Sequence, residues 1–208
     1  MVKKSLVIGL SVAALFIIAA SFVLASGKIL ISKNQSALYF EAGKYYFNTG
    51  DFESAVKYFE KGVDIDDNFA EGYYNLGVSY HSMGRTEDSL SSFNKAIEIN
   101  GDYSKAYYSA ALVYFEKKDY GNAIRYFSKL VELDPNNANA NFDYAVALVE
   151  RFRGKESENK VMENDLADLE NAYNNYQKAD ELKNGFPHAL ENAEIVKNVL
   201  SEYEREFS

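Results

Sequence analysis

Two histidines, His81 and His188, are the side chains of this 208-residue chain best suited to move a proton near neutral pH or to bind a metal. They fall in different parts of the sequence, and neither has a second histidine one helical turn away, the spacing that would set two imidazoles on one metal. There is no cysteine, which removes thiol catalysis, thiolate metal sites, disulfides and a lipid-modified cysteine together. Carboxylates are plentiful, and adjacent pairs occur at Asp66-Asp67 and Glu87-Asp88. Acid–base work needs carboxylates that are buried and convergent, whereas these pairs lie among turn residues and read as solvated helix caps. Glycine-rich phosphate loops, a Gly-x-Ser-x-Gly elbow and kinase signatures do not occur. The expectation is a protein that is not an enzyme, with no catalytic residue, no cofactor and no metal.

The elements around these residues divide the chain in two. Lys3 and Lys4 precede Leu6–Ala25, a run without charge that as a helix rising about 1.5 Å per residue would be about 30 Å long, the thickness of a bilayer core. Residues 1–25 are therefore expected to be a transmembrane anchor. A signal peptide cleaved between Ala25 and Ser26 is the rival reading, and both put the rest of the chain outside the cytoplasm. The expected location is a single pass in the cytoplasmic (inner) membrane, or a secreted or periplasmic product after cleavage. Residues 26–35 read as a linker. The remainder is polar and acidic: net charge is -9, and from Ala138 onward 15 acidic against 8 basic residues leave -7. Such a surface argues against nucleic acid as a partner, since phosphate binding depends on clustered Lys and Arg.

Residue types recur every 34 positions. Tyr39, Tyr73 and Tyr107 form one register; Gly43, Gly77 and Ala111 another; then Tyr46, Tyr80 and Tyr114; Ala55, Ser89 and Ala123; Phe59, Phe93 and Phe127. Turn signals stand at Thr49-Gly50-Asp51, Met83-Gly84-Arg85 and Lys118-Asp119, with Asp51 and Asp119 placed as N-caps. Small residues at Gly43 and Ala55 would let two antiparallel helices approach, and the aromatics would fill the angle between hairpins. A hairpin of this kind cannot bury its apolar face alone, so at least about three must stack and the ends must be capped.

The pattern resembles the tetratricopeptide-repeat family, most closely over Tyr73-Tyr74-Asn75-Leu76-Gly77 with Tyr80, Gly84, Phe93 and Ala96. The resemblance implies an all-α fold, a solenoid of antiparallel helical hairpins, with repeats at 36–69, 70–103 and 104–137. Residues 138–186 read as a degenerate fourth repeat: Asn141, Tyr144, Ala145 and Leu148 start it, and Ala172, Tyr176 and Ala179 resume it late. The wholly polar 154–160 suggests an insertion near 153–165 within the hairpin turn; a longer first helix is the alternative. Residues 187–208 read as a capping helix. Gly62 and Leu130 depart from the alanine that the family prefers in its second helix.

In the family, ligands lie along the concave surface of the first helix of each hairpin. Carried onto this chain, those positions imply a peptide-binding groove of Phe40, Lys44, Phe47, Tyr74, Asn75, Val78, His81, Lys105, Tyr108, Leu112, Phe115, Phe142 and Val146. Phe40, Tyr74, Tyr108 and Phe142 share one register and would align as an apolar strip. The family's basic clamp for the C-terminal carboxylate of heat-shock chaperones is not reproduced, since Phe40 and Ser109 replace basic residues and Lys44 stands where Asn belongs. The implied function is a membrane-tethered, non-catalytic scaffold for protein or peptide partners. A self-assembling structural protein of the bacterial envelope, forming homo-oligomers, and a non-catalytic subunit of an envelope enzyme are the alternatives.

Overall fold

The computed structural model describes residues 35–207 together with Gly27. The apolar segment Leu6–Ala25, and with it the anchor or signal reading, lies outside the described residues; among those described, no helix is long and apolar enough to cross a membrane. The described chain is helical, in the order α1 (35–48), α2 (Phe52–Ile65), α3 (Ala70–Ser82), α4 (Thr86–Ile99), α5 (Ser104–Glu116), α6 (Tyr120–Leu133), α7 (Ala138–Ser157), a 3-10 turn at Glu163–Asp165, α8 (Leu166–Leu182) and α9 (Ala189–Phe207). Consecutive helices pack on one another along the chain, which is the arrangement of a solenoid.

Local chemistry sets the turns inside the hairpins. Gly50, Gly84 and Lys118 occupy one register and all have positive φ, at 81°, 71° and 59°. In each turn the next amide reaches back to close the preceding helix: Asp51 to the Tyr46 carbonyl, Arg85 to Tyr80 and Asp119 to Tyr114, at 2.9 to 3.0 Å. The Asp51 carboxylate then accepts from the Ser54 amide at 3.0 Å and Asp119 from the Asn122 amide at 3.1 Å, so each caps the helix that follows. In the second unit Arg85 takes the cap position without capping a backbone amide, and its Nε donates to the Asp88 carboxylate of α4 at 2.8 Å instead.

Packing then follows from the alternation of glycine and aromatic. Phe59, Phe93 and Phe127 are buried, and the first two each face a glycine of the partner helix. A Cβ added at Gly43 would sit 2.6 Å from the Phe59 ring, and one at Gly77 would sit 2.7 Å from Phe93. Those contacts are too short for a side chain, so these two glycines are what allow the helix pairs to close. Burying one such Phe contributes about 1.5 to 3 kcal/mol.

The fourth hairpin is longer than the others, and the polar segment expected as an insertion in its turn is helix in part, with 153–157 continuing α7 and 158–162 outside helix. α7 runs to Ser157, against Ser82 and Glu116 for the shorter α3 and α5, and the chain leaves regular helix only between Glu158 and Met162. Charged pairs hold the extension to α8. Arg151 Nε donates to Asp168 at 2.7 Å and its Nη2 to the other Asp168 oxygen, while Lys155 bonds Asp165. Both carboxylates are buried. Phe152 is buried against Tyr203 of α9, ring centroids 5.3 Å apart. The hairpin is therefore elongated, with the polar turn shortened to 158–162. Helix α9 packs through Ala189, Ala193 and Val196 and leaves Leu190 and Ile195 exposed.

Candidate functional site

The residues implied for the groove come from the first helix of each hairpin, α1, α3, α5 and α7, and three contacts link those helices in sequence. Lys44 on α1 lies 3.4 Å from Glu71 on α3 and 3.3 Å from Glu41 of its own helix. His81 on α3 lies 2.8 Å from Glu116 on α5. Tyr108 on α5 donates its hydroxyl to Asp143 on α7 at 2.7 Å. Burial pushes the Tyr108 phenol well above its ordinary range, with the Asp143 hydrogen bond adding to it. Burial also raises the Asp143 carboxyl, against the Tyr108 hydrogen bond, which lowers it. This pair braces two helices; a nucleophile would require the opposite shift in the phenol.

Between α1 and α3 the chain leaves a depression of about 340 Å³, open to solvent and lined by Lys44, Phe47, Asn48, Phe59, Tyr74, Asn75 and Val78. Five of these are residues that the sequence places in the groove. Phe47 packs on Phe52 at 5.3 Å, and Tyr74 stands edge-on to Tyr103 at 5.5 Å and tilted on Phe93 at 5.8 Å, so both rings are held in place by neighbours. The Asn75 Nδ2 is buried and has no hydrogen-bond partner. A buried amide left unpaired costs about 1 to 3 kcal/mol, which a ligand carbonyl would recover. Asn48 and Phe59 are lining residues that the repeat comparison did not supply. Asn48 lies one helical turn beyond Lys44, and that spacing could have found it.

Phe40 is not in the groove. Its side chain is 5% exposed, its ring lies tilted on Phe69 at 4.5 Å, and a Cβ at either Gly62 or Gly72 would lie 2.6 Å from its ring. One period on, Ala96 and Ala106 occupy those two positions, and two periods on, Leu130 and Ala140 do; Tyr74 and Tyr108 in the matching register are only half-buried. Two glycines thus draw the first aromatic of the strip into the core, and the strip begins at Tyr74. Its other end is also engaged, because Phe142 packs on Tyr176 at 5.3 Å and Phe186 at 5.0 Å. Lys105 is exposed, Leu112 and Phe115 are half-buried, and Phe115 packs on Tyr120 at 5.4 Å. Val146 lines a separate depression of about 170 Å³ with Tyr176, Asn192 and Ile195, between α7 and α9.

Neither histidine belongs to a metal-binding constellation. Among the described residues no group of three or more His, Cys, Asp or Glu side chains could hold a metal ion. His188, at φ 61° just before α9, lies 3.1 Å from Glu191.

Residues 43–84 match a TPR repeat family model, and residues 70–103 and 104–137 each match a tetratricopeptide repeat model. No curated protein matches the chain. Among solved structures, the MamA protein aligns at 22% identity and TM-score 0.63, covering 83% of this chain and 87% of its own. YrrB, described as a TPR protein with an unusual peptide-binding site, aligns at 19% identity and TM-score 0.63 over 77% of this chain and 75% of its own. The first TPR of Spaghetti (RPAP3), solved bound to the HSP90 peptide SRMEEVD, aligns at 24% identity and TM-score 0.53 over 55% of this chain and 91% of its own. At these identities the likeness establishes the helical repeat fold.

Proposed function

We propose that this chain, which carries tetratricopeptide repeats over residues 43–137, is a non-catalytic scaffold that takes an extended segment of a partner protein into the depression between α1 and α3. The observation that carries the reading is the combination there of rigid aromatic walls, Phe47 and Tyr74, with the unpaired buried amide of Asn75. An apolar ligand side chain fills the space between the rings, and Asn75 donates to a ligand backbone carbonyl. Lys44 is already shared by Glu41 and Glu71, so a free carboxylate gains less from it than from an unpaired lysine. The ligand is accordingly an apolar segment and not an acidic tail. Two solved neighbours are described with a bound peptide or a peptide-binding site, which supports a peptide ligand here.

The tether is a further part of the proposal. Leu6–Ala25 would hold the repeats at the outer side of a cytoplasmic membrane, or export them if cleaved. Retention in the membrane pellet after an alkaline wash tests the anchor, and a mature N-terminus at Ser26 would decide for cleavage.

The groove is tested by selecting peptides from a random library on the full chain and measuring the best of them against Tyr74→Ala. Loss of an aromatic anchor commonly costs about 2 kcal/mol or more, so affinity should fall at least about tenfold. Melting is followed in parallel. Unchanged affinity in a stably folded variant would remove this depression as the binding site.

A further inference from the structure

The outward face of α1 is apolar, and among the described residues nothing covers it. Leu38 is 72% exposed and Tyr45 is 65% exposed, two turns apart on one side of the helix with the half-buried Ala42 between them. The same registers are buried in every later unit: Gly72, Ala106 and Ala140 match Leu38, and Ser79, Val113 and Ala147 match Tyr45. In those units the cover comes from chain upstream: α2 packs on α3, α4 on α5 and α6 on α7, and the atoms nearest Gly72 are those of Phe40 on α1 and Phe69 in the turn before α3. The face on α1 is therefore of the kind that this fold always covers from its own upstream chain.

The residues directly upstream carry the matching pattern. Ile29 stands one period before Val63, Ile97 and Val131, and Ile31 one period before Ile65, Ile99 and Leu133, positions that are apolar in all three units. Asn34 precedes Asn68, Asp102 and Asn136, the polar residues of the turns between units. Gly27 is helical with open space where a Cβ would be, as suits the register of the exposed Lys61. Lys28 departs from Gly62, Ala96 and Leu130, but a lysine stem can lie along an apolar face with its ammonium in water. In the first unit the chain doubles back so that Gly62 and Gly72 close on one ring, Phe40. The same doubling back, one period earlier, would bring residues 28–29 to Leu38.

We propose that residues 26–34 cover the Leu38 end of this face, with Ile29 and Ile31 against it, so that the stack begins with half a repeat instead of a free linker. The occupant is this segment and neither a second copy nor a lipid surface. The half repeat would fix the distance between Ala25 and the first hairpin, which a flexible linker would not.

Because the chain has no cysteine, introduced pairs report the contact cleanly. In the full chain, Ile29→Cys with Leu38→Cys should close an intramolecular disulfide under oxidised glutathione, since bridged residues need Cα atoms within about 7 Å. Leu30→Cys with Leu38→Cys, one position off the register, should stay largely reduced, and Leu38→Cys alone should react slowly with a maleimide. Failure of the Ile29 pair to close, or equal closure of the Leu30 pair, would overturn the proposal. So would chain-to-chain cross-linking through Leu38→Cys alone, which would give the face to a second copy, and so would rapid maleimide labelling.

Discussion

Gly62 shows how much one position can decide. The 34-residue pattern sets Phe40, Tyr74 and Tyr108 in one register, and a register says which way a side chain points without saying how deep it sits. Depth is set by what stands opposite. Where Gly62 and Gly72 face Phe40 the ring goes in, and where Ala96 and Ala106 hold the same positions Tyr74 stays half out. Gly62 was visible in the sequence as a departure from the alanine expected there, but its meaning needed the position of the facing ring. Gly62→Ala should push the Phe40 ring outward at an overpacking cost of about 1 to 3 kcal/mol, partly offset by up to about 1 kcal/mol of helix propensity. Urea denaturation should show a lower midpoint, and near-ultraviolet or NMR signals of Phe40 should shift. A midpoint at or above that of the unaltered chain would show that the core has room for the methyl group.

At the scale of the helix, the α7–α8 hairpin was the element least legible in the sequence. Residues 153–165 read as an inserted loop, with a longer helix as the alternative, because the residues that fasten the extension, Arg151 and Lys155, find their partners on another element. Asp168→Ala would leave the Arg151 guanidinium half-buried without its bidentate partner, for a loss of about 1 to 3 kcal/mol. Limited proteolysis should then cut faster within 158–162, the non-helical stretch; an unchanged cutting rate would show the pair to be dispensable.

Helix caps have a pH dependence of definite sign. Hydrogen bonds from Ser54 hold the Asp51 carboxyl below its ordinary value of 3.8, and hydrogen bonds from Asn122 do the same for Asp119. For Asp165 burial pulls upward, but the Lys155 hydrogen bond and the Met162 amide outweigh it and the carboxyl is also lowered. A carboxyl lowered in the folded state stabilises it fully above the unfolded value and ceases to do so as pH falls through the folded one. The melting temperature should therefore drop below about pH 4, and Asp51→Asn with Asp119→Asn, which keep a neutral cap, should make the drop shallower. An identical acid profile in the double variant would place the sensitivity elsewhere.

For the whole molecule, period and composition carried the reading furthest. Five registers repeated over three units specify the stacking order and the helices that face the groove, because a solenoid is built from neighbour contacts that every copy makes in the same way. What the period does not carry is whatever differs between copies, and here those differences bear on which of the expected groove residues share a depression. Phe40 is drawn into the core, Phe142 is packed under Tyr176 and Phe186, and Tyr108 is tied to Asp143, which leaves Lys44, Phe47, Tyr74, Asn75 and Val78 around one depression. The most direct test is an NMR titration of the isotope-labelled chain with a peptide selected on it. The account predicts that the Asn75 side-chain amide moves on binding, together with backbone amides of Lys44, Phe47 and Val78. Shifts gathered instead around Tyr107, Arg125 and Lys129, which line a depression of about 410 Å³ elsewhere on the surface, with Asn75 unmoved, would contradict it.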